Sequence, residues 1–144
     1  MAEYDNLIGE LLSGPYRILD ILPERVPEDA GGRYFAAADY FCAPARLRRL
    51  YRKFAEVLLK MNCYSSMQVS FDAGETFERD PDPEAFAART EDLHAGLLRV
   101  LFGKEAVMID LDAGDTYMTV YGGGDLTFTE RLRRIAEAEG LFLW

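Results

Sequence analysis

The sequence predicts an α+β fold: a two-layer sandwich in which a mixed or mostly antiparallel sheet of about five strands carries helices on one face. Three observations predict it. Stretches of 3.6-residue apolar periodicity alternate with stretches of period two, in the order α-β-(β)-α-β-α-β-β-α-β. Two strand-like segments, 106–112 and 115–121, adjoin across a short turn, which a purely parallel sheet does not accommodate. The chain has 144 residues, 49% of them hydrophobic and 12% aromatic. That is the size of one domain with one real core, and too apolar for a disordered chain.

Residues 3–13 read as a helix, with Tyr4, Leu7, Ile8 and Leu11 on one face and Gly14-Pro15 as its stop. YRILDIL (16–22) reads as a strand ended by Pro23, and 22–32 as a loop rich in Pro and Gly. In 33–41 the aromatics favour strand and the alanines favour helix; the reading taken is extended. The clearest helix is 44–61. Pro44 suits its first position, and Leu47, Leu50, Phe54, Val57, Leu58 and Met61 form a stripe. YSSMQVSFD (64–72) alternates as a strand with one wet face, and AGETFERDPD follows as loop.

A second long helix is expected over about 83–102, capped by Asp82 and ended by Gly103, with Phe86, Leu93, Leu97 and Leu101 aligned. The hairpin 106–121 comes next. Thr127 and Glu130 form a capping-box pattern ahead of a helix over 128–139, and LFLW (141–144) reads as a closing strand.

Net charge is −9, which argues against nucleic acid and anionic membranes over most of the surface. No apolar run reaches the roughly 18 residues of a membrane span. The opening MAEYDNLIGELL lacks the basic start of a signal peptide. Cys42 and Cys63 flank the clearest helix, so their Cα atoms are expected roughly 24 Å apart, beyond disulfide reach. Two free thiols and an unexceptional N-terminus point to the cytoplasm.

Candidates for chemistry are few. Cys63 and His94 could form an activated thiol pair if the fold brings them together. Asp110 and Asp112 end a strand as Asp-x-Asp, which resembles the first motif of haloacid-dehalogenase-type phosphatases. That resemblance covers about ten residues, and no lysine follows Asp112 where such a fold needs one. A calcium loop is excluded because Gly114-Asp115 invert the required order and Tyr121 stands at the twelfth position. Gly122-Gly123-Gly124 matches no phosphate-loop pattern and reads as a flexible strand-to-helix connection. Neither a metal site nor a cofactor is expected, since no Cys-x-x-Cys or paired-His spacing occurs.

Two surfaces remain. Arg46, Arg48, Arg49, Arg52 and Lys53 place five cations in eight residues, either an anion or nucleic-acid contact or a solvated face paired with nearby acids. Tyr117, Tyr121, Phe128, Phe142 and Trp144 form an aromatic C-terminal set that either closes the core or meets another chain, with Tyr117, Tyr121, Phe142 and Trp144 the residues singled out for interaction. The function expected is a non-enzymatic protein-binding or regulatory module, acting on a protein partner or by homodimerising. The alternatives are a small thiol- or carboxylate-using enzyme or ligand binder, and an anion contact by helix 46–53. The segments DTYMTVYGGGDLTFTERLRRIAEAEGLFLW, YRILDILPERVP and LLKMNCYSSMQVSF together resemble a family of small bacterial proteins, a domain of unknown function. The resemblance covers most of the chain, implies a bacterial cytoplasmic domain and carries over no catalytic residue.

Overall fold

The computed structural model describes residues 2–144, with side chains from Tyr4 onward. The elements are α1 (Ala2–Leu12), β1 (Tyr16–Asp20), α2 (Arg33–Cys42), α3 (Pro44–Asn62), β2 (Gln68–Ser70), β3 (Glu78–Arg79), α4 (Pro83–Glu91), β4 (Leu97–Phe102), β5 (Val107–Asp112), β6 (Tyr117–Tyr121), α5 (Leu126–Ala138) and β7 (Phe142–Leu143). The fold is α+β. The strands form one sheet in the order β3-β2-β4-β5-β6-β1-β7, and every pair is antiparallel. The sheet thus has seven strands where about five were expected, with none of the parallel pairs a mixed sheet would hold.

Alternation along the strands sets the two faces. Leu98, Val100 and Phe102 of β4, Val107, Ile109 and Leu111 of β5, and Met118 and Val120 of β6 are buried together with α3, α4 and α5. The stripe of α3 meets them as Phe54, Val57, Leu58 and Met61, all fully buried. Not every helix lies on that face, however. The apolar side of α1 packs on the opposite one, where Ile8 and Leu11 bury Leu101 and Met108, and Tyr4 meets Phe77 edge-on with ring centroids 5.1 Å apart.

Four local expectations are corrected. The helix over 83–102 is two elements: α4 stops at Glu91, Gly96 takes φ +79°, and 97–102 is a strand between β2 and β5. LLRVLF is apolar enough to read as either type; pairing on both edges decides for strand, and Arg99 in its middle faces away from the core. Residues 33–42 are helical, not extended; α2 buries no residue and follows two left-handed glycines, Gly31 and Gly32, so its helix-favouring alanines outweigh its aromatics. The N-cap of α5 is Asp125, whose Oδ1 accepts from Phe128 N at 3.0 Å, and Thr127 is already inside the helix. The loop reading of 73–82 also misses β3, a two-residue edge.

Candidate functional site

Cross-strand neighbours share a face, so the register defines three rows on the side of the sheet away from α3. One runs Tyr16, Tyr121, Met108, Leu101, Gln68, and α1 covers its far half. The middle row runs Ile18, Thr119, Asp110, Arg99, Ser70. Trp144 extends it, exchanging backbone hydrogen bonds with Ile18. The last row places Phe142 beside Asp20 and Asp20 beside Tyr117, with Asp112 beside Leu97. Of the five C-terminal aromatics read from the sequence, Tyr117, Tyr121, Phe142 and Trp144 therefore lie on this face, and Phe128 is in the core.

At its centre is an ion pair. Arg99 donates from Nε to Asp110 Oδ1 at 3.0 Å and from Nη2 to Oδ2 at 2.9 Å. The two side chains are only 12% and 8% exposed. The hydrogen bond to Asp110 raises the Arg99 pKa. Burial raises that of Asp110 by more than Arg99 lowers it, the expected outcome where desolvation outweighs attraction. Asp112, at the strand end, is exposed. The pair Asp110/Asp112 is thus one carboxylate committed to arginine and one facing solvent. Burial also raises the phenol pKa of Tyr117 and Tyr121. The ring of Tyr121 lies 6.2 Å from that of Tyr16, which is 62% exposed.

Cys63 and His94 do not meet in one site. Cys63 caps α3, donates its thiol to Leu59 O at 3.6 Å, and lines a hollow with Lys60 and Glu139. His94 stands on the α4–β4 link with Nδ1 2.9 Å from Asp92 O, and lines a different hollow of about 640 Å³. The cysteine on that hollow is Cys42, whose Sγ is 3.7 Å from Gly114 O. Both thiols are free and exposed. Among the described residues, no group of three His, Cys, Asp or Glu side chains could hold a metal ion.

The basic stretch of α3 mostly binds its own neighbours. Arg46 donates to Tyr40 O at 2.6 Å and lies 3.6 Å over the Tyr40 ring. Arg48 pairs with Asp92 and with Glu91, and Arg52 with Glu56 and Glu91. These contacts tie α2 and α4 to α3. Arg49 and Lys53 make no ion pair among the described residues.

The floor of the His94 hollow contains a hydroxyl with a structural task. Tyr51 is 1% exposed, accepts from Gly114 N at 2.9 Å and donates to Asp115 O at 2.7 Å. It pins the β5–β6 turn to α3, and burial pushes its pKa up to about 12. Tyr51→Phe leaves the Gly114 N–H and the Asp115 carbonyl without this partner, so it is expected to cost about 1–2 kcal/mol. Urea unfolding with an unchanged m-value, together with faster hydrogen exchange at Gly114, checks this. A cost below about 0.3 kcal/mol would mean that water replaces the phenol.

Residues of the open face that sequence reasoning passed over are Tyr16, Ile18, Asp20 and Arg99. Period two in YRILD puts the first three on one side, and Arg99 signals an ion pair once 97–102 is read as a strand opposite Asp110. Comparison of the chain with family models, with curated proteins and with solved structures returns no match.

Proposed function

We propose that the chain is a non-enzymatic, cytoplasmic protein-binding module whose binding surface is the part of the sheet that α1 leaves open. The observation that supports the reading is this bare half-face. Its rows present Tyr16, Ile18, Thr119 and Tyr117 beside a buried ion pair, with Tyr121 at the border where it packs against the α1 cluster, and a sheet face of that kind is a surface suited to burial. The occupant is a basic protein surface rather than a second copy. Asp112 and Asp115 border the face and make no ion pair among the described residues, and the whole chain carries −9. Two copies meeting here would oppose carboxylate to carboxylate, which disfavours self-association. The separation of Cys63 from His94, and the commitment of Asp110 to Arg99, favour binding over catalysis. No helix among the described residues is long and apolar enough to cross a membrane.

The experiment compares the parent chain with Tyr16→Arg/Thr119→Arg, and with Arg49→Glu as an off-face control. A partner captured by the parent from its own cell extract is purified and titrated by calorimetry at several salt concentrations. The expected result is one-to-one binding, weakened about 30-fold by the double variant, unchanged by the control and weaker in high salt. Equal binding by parent and double variant overturns the reading. So does a homodimer in light scattering that the double variant dissolves, which would assign the face to self-association.

A further inference from the structure

We infer that the cavity at the Asp20 end of the sheet is a binding site for an organic ammonium ion. Strand β1 ends at Asp20, the chain loops out through Pro23 and Pro27, and it returns as α2, while β7 flanks β1 on its other edge. The half-open pocket between them measures about 330 Å³, within the range of small-ligand pockets.

Its lining has the chemistry of a cation site. Asp20 is a buried carboxylate, 8% exposed. Its Oδ1 accepts from Ile21 N at 2.7 Å, and no cation pairs with it among the described residues. A carboxylate withdrawn from water without a counter-ion is costly. The fold answers in part by raising its pKa through burial, against the backbone hydrogen bonds that lower it. Trp144, Tyr34 and Phe35 supply aromatic walls, and aromatic faces around a carboxylate attract an ammonium group by charge and by the ring quadrupole. Glu24 and Glu28 also line the space, against one guanidinium, Arg25, so acid exceeds base.

The indole of Trp144 lies beside Asp20 and acts with the backbone hydrogen bonds to lower that carboxyl's pKa. Phe35 is 71% exposed where α2 begins, its ring edge-on to that of Tyr34 at 5.7 Å. Calcium or magnesium is a poorer fit, because each asks for about six or more oxygen ligands and the walls are aromatic, and no group of three His, Cys, Asp or Glu among the described residues could hold a metal ion. An anion is a poorer fit on charge.

The ammonium could belong to a free amine or to a lysine side chain, and both are tested. Trp144 is the only tryptophan in the chain and lines this cavity, so its fluorescence reports on a ligand bound there. Titration with n-butylammonium is expected to give a saturable change with a Kd on the order of millimolar, while n-butanol, the neutral isostere, gives none. Acetyl-Gly-Lys-Gly-amide forms the second arm. Tighter binding of the peptide assigns the site to a protein side chain, and tighter binding of the free amine assigns it to a small molecule.

Asp20→Asn is expected to weaken either ligand about tenfold or more, and Asp115→Asn is expected to leave it unchanged. Should Asp20→Asn not fold, Phe35→Ala, at an exposed position, is expected to weaken binding about threefold through the lost ring. The site does not rest on the partner-binding reading, and Tyr16→Arg/Thr119→Arg separates the two: it weakens the partner about 30-fold and leaves butylammonium binding intact. No saturable response to either cation overturns the site. An equal response to n-butanol, or undiminished binding by Asp20→Asn, does the same.

Discussion

Arg99→Ala is expected to cost the fold about 3–5 kcal/mol, because it leaves a buried carboxylate without its counter-charge. Arg99 and Asp110 face each other across β4 and β5 in mid-sheet, and both guanidinium bonds are near-ideal in length. The loop after β2 closes over them: a Cβ on Gly74 would sit 3.7 Å from Arg99 Nη1. Water therefore has little room to replace the arginine. Arg99→Met with Asp110→Leu is expected to cost less than either single truncation, since it removes both charges and keeps the volume. The pH dependence is the sharper test. The folded-state pKa of Asp110 is raised, so the folded chain holds this proton more tightly than the unfolded chain. Its contribution is fully present below the unfolded carboxylate value, roughly 3.9, and is lost as pH rises through the folded value. Without Arg99 that folded value moves higher still, because the one neighbour lowering it is gone. The variant should therefore lose most stability at neutral pH and recover part of it toward pH 4. Urea unfolding at pH 4, 5.5 and 7 reads this directly. A penalty that does not change with pH would mean that Asp110 finds water or another cation, and the ion pair would then be a surface feature.

How far such a site can be read from sequence depends on where each residue's environment is decided. The stripe of α3 and the 106–121 hairpin are local: 3.6-residue spacing and a two-residue alternation are visible within a few turns of chain. The orientation of β5, with Val107, Ile109 and Leu111 inward and Asp110 outward, is legible for the same reason. Segment 97–102 is different. Its six residues carry no periodicity that separates a buried strand from a buried helix, and what makes it a strand is the pairing with β2 and β5. Gly96 was the available signal, a residue suited to the left-handed turn it makes between α4 and β4.

Misreading that one strand hides the ion pair, since Arg99 on a helix has no reason to oppose Asp110. It also hides the open face, because the rows exist only once seven strands are in register. Asp20 was invisible for a related reason. An aspartate at a strand end before a Pro-rich loop is usually solvated, and only the return of α2 and the lie of β7 enclose it. In the opposite direction, chain spacing could not tell that His94 shares a hollow with Cys42 rather than with Cys63. The basic run of α3 was legible as a charge cluster. That Arg46, Arg48 and Arg52 are occupied by α2, α4 and Glu56 was not, because Glu91 and Asp92 are some forty positions away in the chain.

Gly122→Ala is expected to be the most damaging change in the glycine triplet, at about 3–4 kcal/mol. A flexible connection would tolerate alanine at all three positions alike; this loop should not. Gly122 takes φ +96°, where an L side chain is strained, and a Cβ there would lie 2.4 Å from the Ala106 carbonyl oxygen. Leu11 Cδ2 at 3.2 Å could swing aside, but the carbonyl cannot. Ala106 closes the β4–β5 turn with its own φ at +56°, donating to Gly103 O, and Gly122 N is held by Pro15 O. Gly123→Ala keeps the strain at φ +117° but meets side chains rather than backbone, Arg17 Nη1 at 3.3 Å and Thr129 Oγ1 at 3.8 Å, so about 1–2 kcal/mol is expected. Gly124 has no positive φ and nothing within 4 Å of a Cβ, so alanine there should lie within about 0.5 kcal/mol of the parent. Thermal or urea unfolding of the three single variants gives the ordering. Equal small effects would mean that the loop slides away from Ala106 without penalty. A steep gradient would mean that the triplet is there because three chain segments, the end of α1, the β4–β5 turn and the exit of β6, converge on one position that has no room for a side chain.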